Sequence, residues 1–314
     1  MKFKKPKFWD DDKISFWAII FFPFSLIYLV LFSIVKFLQS FKNNSKNDIP
    51  IICVGNIYLG GTGKTPLVKE IFNIVKSFGK NPAFIKKKYS YLIDEIQMLE
   101  KTGKTFVCDN RISGISQCSN TDFNVAILDD GFQDYSIKPD LSILCFNSKQ
   151  LIGNGLLIPS GPLREKFSSI SKTDCIIING NKNLEFEKKI FNNIGNKKIP
   201  IFYSKYIIKN IENFANKEIT AFAGIGNPSN FFELLKENNL NIKKTYSFPD
   251  HHEYSKADFE IITKNKDTKI ITTEKDFYRI NEKQRQAFDY VEIQLKIDNI
   301  DKFKELINSY LWKK

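Results

Sequence analysis

From Ile14 to Val35 the chain carries no charged side chain, and Phe, Ile and Leu dominate the run, with Trp9 and Trp17 near its start. That length is close to the ~20 residues an α-helix needs to cross a bilayer. Pro23 and Ser25 near its middle are expected to bend it. Beyond a polar linker, Ser40 to Asp48, short apolar runs alternate with helix-like stretches. Pro50–Val54, Pro82–Ile85, Phe123–Leu128, Leu141–Phe146 and Asp174–Ile178 read as strands with helix-like sequence among them, which predicts a parallel sheet covered on both faces. Leu184–Lys209 reads as a connecting region. A second alternation follows, with strands Ile219–Ala223, Lys244–Ser247, Lys269–Thr272 and Tyr290–Ile293 and helices Pro228–Glu237, Lys256–Lys264 and Ile300–Leu311. The expected organisation is an amino-terminal membrane-associating segment (1–46), a first α/β domain (47–205) and a smaller second α/β domain (206–314).

Charge refines the reading of the apolar segment. Lys2, Lys4, Lys5 and Lys7 precede it and Lys36, Lys42 and Lys46 follow it, so the positive-inside tendency pulls both ends to the cytoplasmic side. A monotopic, partly inserted helix or helical hairpin satisfies both flanks better than a single span. No small-x-small cleavage pattern follows, and the run is longer than the apolar stretch of a signal peptide, so the segment is expected to stay in the mature protein.

At 314 residues with 42% hydrophobic content, the chain is long enough for about two cored domains and is not of disordered composition. A net charge of +12 is compatible with nucleic acid, an anionic membrane or a phosphorylated substrate, but lysine is scattered through Asn- and Ile-rich sequence, which dilutes its meaning. Five dispersed cysteines without a C-x-x-C pair read as reduced core residues of a cytosolic protein. His251 and His252 are the only histidines, so no zinc site can be built from His alone.

The chemistry is concentrated in Gly60-Gly61-Thr62-Gly63-Lys64-Thr65, between the apolar run Ile51–Val54 and a helix-like run from Pro66 to Phe78. A strand, a glycine-rich turn ending in Gly-Lys-Thr and a helix start together hold a nucleotide triphosphate: backbone N–H groups and the helix dipole face the phosphates. Lys64 is placed to reach the β/γ-phosphates, and the Thr65 hydroxyl to coordinate Mg²⁺. The full pattern has a glycine where this chain has Tyr58, so Gly60 and Gly61 must supply the flexibility. Asp129 and Asp130 end the apolar strand Val125–Leu128, the place where a P-loop NTPase puts a second Mg²⁺-organising acid. Asp94-Glu95 opens a helix-like run, where first-turn acids complementing the helix dipole are the plain explanation.

Several blocks occur in a telling order. Gly60–Pro66, Leu128–Gln133, Gly153-Asn154-Gly155 with Pro159–Glu165, Ala223–Pro228, Phe248–His252 and Thr273–Asp276 together resemble the tetraacyldisaccharide 4'-kinase family, the lipid A 4'-kinases of Gram-negative bacteria. The resemblance covers nearly the whole chain, including the amino-terminal helix. It implies a P-loop NTPase-like α/β fold and ATP-dependent phosphorylation of the 4'-hydroxyl of a tetraacylated glucosamine disaccharide 1-phosphate. The implied place is the cytoplasmic face of the inner membrane. Its implied cofactors are ATP and Mg²⁺, and its implied partners a lipid A precursor and an anionic membrane surface, with no nucleic acid and no obligate protein partner.

The resemblance also implies residue roles. Asp94 would help deprotonate the sugar hydroxyl, Glu95 would accompany Mg²⁺ with Asp129 and Asp130, and His251 rather than His252 would work with Asp94. Asp94 is expected near the phosphate loop in the first unit and His251 on a loop of the second, so that domain closure would join them. Arg111 and Arg164 are candidates for meeting the substrate's 1-phosphate. Some positions depart from the family pattern: Lys86-Lys87-Lys88-Tyr89-Ser90 stands for Ser-Arg-Gly-Tyr-Gly, Ile93 and Ile96 replace a Gly and a Pro around Asp94-Glu95, and Asp134 replaces a His. The runner-up readings are a divergent membrane-associated P-loop ATPase and a nucleotide-dependent scaffold. GTP is disfavoured, because Asn181-Lys182-Asn183-Leu184 lacks the Asp of a guanine-reading motif.

Overall fold

A computed structural model describes residues 5–11, 13–41, 48–89, 93–264 and 267–312. Lys2, Lys4, Lys42, Lys46, Ser90 and most of the polar linker lie outside the described residues. The elements run α1 (Phe16–Ser40), β1 (Ile51–Gly55), α2 (Lys64–Ser77), β2 (Pro82–Lys87), α3 (Ile93–Glu100), β3 (Thr105–Cys108), α4 (Arg111–Ser119), β4 (Val125–Asp129), β5 (Leu141–Asn147), β6 (Cys175–Asn179), α5 (Leu184–Ile194) and β7 (Ile201–Ile208). There follow β8 (Glu218–Ala223), α6 (Pro228–Glu237), β9 (Asn241–Ser247), α7 (Lys256–Ile262), β10 (Lys269–Thr273), α8 (Glu274–Arg279), α9 (Glu282–Arg285), β11 (Asp289–Val291), β12 (Ile293–Ile297) and α10 (Ile300–Leu311).

The chain divides into two compact units, and neither is a continuous stretch. The larger comprises 5–88, 103–205 and 296–314, and the smaller is built chiefly from 89–102 and 206–295. Two segments therefore depart from the linear boundaries expected. Residues 89–102 join the smaller unit because α3 packs on α8. Residues 296–314 return to the larger unit, where Phe303, Ile307 and Leu311 form the buried stripe of α10 and Phe303 meets Phe202 edge-on at 5.2 Å.

In the larger unit the sheet order is β12-β7-β6-β5-β1-β4-β2-β3. β1 pairs in parallel with both β4 and β5. β1, β4, β5 and β6 are buried along their whole length, as strands covered on both faces must be, which is why they read as unbroken apolar runs. Val54 lies in register with Asp129, so the acids that end β4 stand beside the strand that feeds the phosphate loop. The expected connecting region Leu184–Lys209 is instead α5 and β7, and Thr105–Cys108 adds a short strand beside β2. Each was hidden by brevity or by lysines at exposed positions.

The smaller unit has a parallel sheet in the order β11-β10-β8-β9, with one core of Phe214, Ile219, Ala221, Leu235 and Ile271 and another of Phe222, Ile262 and Phe288. The expected strand Tyr290–Ile293 is broken into β11 and the start of β12.

α1 is one continuous helix with Pro23 inside it, not a hairpin, and Ser15 caps it by accepting the Ala18 N–H. Its inner face is seated on the larger unit. Ser25, buried, donates to the Leu157 carbonyl and accepts from Ser160 N, Tyr28 donates to the Arg164 carbonyl, and Gln39 accepts from Tyr135 N. The outer face leaves Phe16, Trp17, Phe24 and Leu31 more than half exposed, at 71%, 57%, 56% and 58%.

Candidate active site

The phosphate loop is shaped from within by Asn56, which sequence reading passed over. Its Nδ2 donates to the carbonyls of Tyr58 and Gly60 and to Thr62 Oγ1, at 2.6, 3.2 and 2.9 Å. Gly60 has φ 150° and Gly63 φ 93°, conformations that favour glycine. Gly63 precedes α2 without a side-chain cap, so the loop ends on a helix start built to face an anion. Tyr58 stands where a glycine is usual, and its fully buried ring packs beside Gly60, where a Cβ would meet it at 3.2 Å. It hydrogen-bonds to Asp10 and accepts from Lys5 Nζ at 3.0 Å, and its backbone bridges to Leu163.

Asp129 and Asp130 have different surroundings. Asp129 is fully buried, and Lys86 Nζ donates to its Oδ2 at 2.6 Å. Its Oδ1 is buried without a hydrogen-bond partner. Asp130, at a left-handed φ of 57°, receives both Arg164 terminal nitrogens, Nη1 on Oδ2 at 3.2 Å and Nη2 on Oδ1 at 2.9 Å. Lys64 Nζ lies 3.6 Å from the same Oδ1. Burial pushes the Asp130 pKa up, but the charges of Arg164, Lys64 and Lys86 outweigh it and hold the carboxyl well below the usual range.

Arg111 is a buried clamp. Nη2 donates to the carbonyls of Asp129 and Asp130, at 3.4 and 2.7 Å, and Nη1 pairs with Asp134 at 3.1 Å. Asp134, the acid in place of a family histidine, thus serves as the counter-ion of Arg111. The sequence-level candidacy of Arg111 for a substrate phosphate overlooked this bond set, whereas Arg164 also lines a cavity of about 380 Å³ beside α1 with Tyr28, Phe32, Lys36 and Lys172.

The other half of the predicted constellation lies in the smaller unit. Asp94, expected in the first unit, is in the first turn of α3 and so belongs with His251. Arg279 joins them: Nε and Nη2 donate to Asp94 Oδ2 at 3.0 and 2.7 Å, and Nη2 lies 3.2 Å from His251 Nδ1. A guanidinium only donates, so His251 Nδ1 accepts and the ring proton sits on Nε2. The cation that pairs with Asp94 is therefore Arg279. Asp94 Oδ1 is buried and has no hydrogen-bond partner. Glu95 pairs with Lys275 at 2.6 Å, within this unit.

Gly224 explains why the Ala223–Pro228 block carries a glycine. Its N–H donates to Asp276 Oδ2 at 3.0 Å, and its carbonyl accepts from Arg279 Nη1 at 2.6 Å and His251 N at 3.1 Å. A Cβ there would stand 2.9 Å from the Tyr254 hydroxyl and 3.1 Å from Asp276 Oδ1. His251 itself adopts φ 54°, an uncommon backbone state for a non-glycine. His252 is used differently: Nε2 meets Asp258 Oδ2 at 3.0 Å, where Asp258 completes the capping box of α7, and its ring stacks on Phe248 at 4.8 Å. Arg279 and Lys275 were missed although they sit in or just after the Thr273–Asp276 block. Neither the short helix α8 that carries them nor their carboxylate partners were among the expected elements.

A family model described as tetraacyldisaccharide-1-P 4'-kinase matches residues 17–91 and 87–311. A tetraacyldisaccharide 4'-kinase of Pelagibacter ubique (strain HTCC1062) is 42% identical over 304 residues, 95% of this chain and 95% of its own length. One of the same name from Francisella novicida is 29% identical, covering 93% of this chain and 99% of its own. Among solved structures, LpxK from Aquifex aeolicus, crystallised in complex with ATP, shares the fold at TM-score 0.73 and 23% identity, over 94% of this chain and 99% of that one.

The depressed Asp130 pKa sets a pH dependence. A carboxyl whose folded pKa lies below its unfolded value of about 4 adds stability above that value and loses it as pH falls through the folded pKa. Asp130→Asn is therefore expected to destabilise the protein at pH 7 and to flatten the acid limb of a melting-temperature profile below about pH 4. An acid limb identical to wild type would show that Asp130 is not held ionised by its cations.

Proposed function

Because the chain belongs to the tetraacyldisaccharide-1-P 4'-kinase family, we propose that its larger unit binds the phosphoryl donor and its smaller unit carries the groups that serve the acceptor. The larger unit holds ATP. Backbone N–H groups of Gly60–Thr65 take the phosphates, and Lys64 stabilises the charge on the transferring group. Asp130 holds Lys64 and Arg164 in place; with both oxygens engaged by Arg164, it serves as an organiser rather than a metal ligand. The oxygen donors fit Mg²⁺: the Thr65 hydroxyl and the unpartnered Asp129 Oδ1 would hold it, and the phosphates and water would complete its shell. Among the described residues no cluster of three or more metal-ligating side chains occurs, in keeping with a metal held largely by its nucleotide. When bound, Mg²⁺ would neutralise charge between the β- and γ-phosphates.

The smaller unit handles the acceptor. The observation that carries this reading is Asp94, whose Oδ2 is clamped twice by Arg279 while Oδ1 is left without a partner. As the 4'-oxygen bonds to the γ-phosphorus and the bond to the β–γ bridging oxygen breaks, Asp94 Oδ1 accepts the hydroxyl proton, and ADP leaves. Arg279 and His251 fix the carboxylate's direction. The cavity beside α1, with Arg164, Lys36 and Lys172 on its wall, suits the phosphate end of the lipid substrate.

The outer face of α1 supports a seat in the cytoplasmic leaflet of a Gram-negative inner membrane, where ATP and the lipid meet. Because the inner face is bonded to the larger unit from Ser25 to Gln39, the helix lies along the protein, which suits in-plane insertion better than a free span.

Lys64→Ala is expected to leave less than about a tenth of wild-type kcat in a protein that remains folded, a barrier increase above roughly 1.4 kcal/mol. Asp94→Ala and Arg279→Ala should each depress kcat strongly, with the double variant little worse than the worse single one. Multiplicative losses would mean that Arg279 does not act through Asp94. Replacing Phe16, Trp17, Phe24 and Leu31 together by Ser should move the protein from the membrane to the soluble fraction without lowering its melting temperature, since all four are exposed. Retention in the membrane fraction would assign the anchoring to another surface.

A further inference from the structure

We propose that Lys86 is a resident counter-cation for Asp129, holding one carboxylate oxygen so that the strand end stays assembled without metal and Mg²⁺ is bound less tightly than an unpaired acid would bind it. The inference rests on the reading of Asp129 as the carboxylate beside Mg²⁺. Lys86 ends the buried part of β2, and Ile85 is in register with Leu128 on β4, so the sheet itself delivers the ammonium to the neighbouring strand's acid. Both groups are almost wholly removed from solvent, Lys86 at 2% and Asp129 at 0% exposure, and their separation is 2.6 Å. A buried carboxylate without a partner is strongly destabilising, and the Lys86 ammonium supplies Asp129 with a partner that does not depend on metal.

The pair also sets direction. Arg111 pins the backbone carbonyls of Asp129 and Asp130 while Lys86 takes Oδ2, which leaves Oδ1 as the free acceptor. A divalent ion arriving at Oδ1 meets an acid whose charge is already shared and an ammonium that repels it. Lys86 thereby trades metal affinity for a site that needs no metal to fold.

The test uses the full-length protein in detergent with a saturating non-hydrolysable ATP analogue, and follows melting temperature against Mg²⁺ concentration. Lys86→Met should melt lower than wild type without Mg²⁺, gain more on Mg²⁺ addition, and reach half-saturation at roughly fivefold lower Mg²⁺ or less. Asp129→Asn should weaken the Mg²⁺ response, and Lys86→Met with Asp129→Asn should recover the metal-free melting temperature because no uncompensated charge remains. A wild-type Mg²⁺ midpoint in Lys86→Met, with a weakened one in Asp129→Asn, overturns the role of Lys86 and leaves Asp129 as the metal's carboxylate. An unchanged midpoint in Asp129→Asn overturns both. A Lys86→Met chain that does not fold and is not rescued by Asp129→Asn also contradicts the proposal.

Discussion

A carboxylate taken out of water must find a cation, and the polar clusters of both units follow from how four acids meet that demand. Asp129 has Lys86, Asp130 has Arg164 with Lys64 close by, Asp94 has Arg279 and Glu95 has Lys275. In two of these pairs the cation takes one oxygen and leaves the other buried and unpartnered: Oδ1 of Asp129 and Oδ1 of Asp94. A buried acceptor without a donor is costly, and the two orphans fall on the acid proposed to meet the metal and on the acid proposed to take the proton. Each cluster is balanced in charge and incomplete in hydrogen bonding at the oxygen where a ligand atom is expected.

Parallel sheets make such pairs possible. They deliver every strand in the same direction, so the loops after β1, β2 and β4 leave from one edge, and acids and bases distant in sequence become neighbours there. The larger unit puts Lys86 and Asp129 on adjacent strands, and the smaller unit gathers Gly224, Asp276 and Arg279 around the end of β8. Gly224 admits this because a side chain there would strike Tyr254 and Asp276.

Features written in local sequence were legible. The phosphate loop, the start of α2 and the central strands declare themselves through glycines, a Gly-Lys-Thr turn and apolar runs, all set by a few neighbouring residues. The Asp94–Arg279 pair was not, because its members are 185 positions apart and neither has an unusual local setting. Helix α3 misled in a related way. Its sequence lies between strands of the larger unit, yet its packing partner is α8, so chain order gave the wrong unit for Asp94. Departures from the family pattern also became readable only in three dimensions: the Tyr58 hydroxyl accepts from Lys5, and Asp134 neutralises Arg111. α10 was foreseen as a helix from its apolar stripe, but nothing in that stripe says which core it covers.

The residues gathered in the two units are read as serving transfer to a lipid alcohol rather than hydrolysis. That reading is tested most directly by supplying γ-labelled ATP to the detergent-solubilised protein, with and without tetraacylated disaccharide 1-phosphate, and following label in lipid and in free phosphate. The account predicts label at the 4' position of the lipid and little free phosphate when lipid is withheld. Equal release of free phosphate with and without lipid, and no labelled lipid, would contradict it.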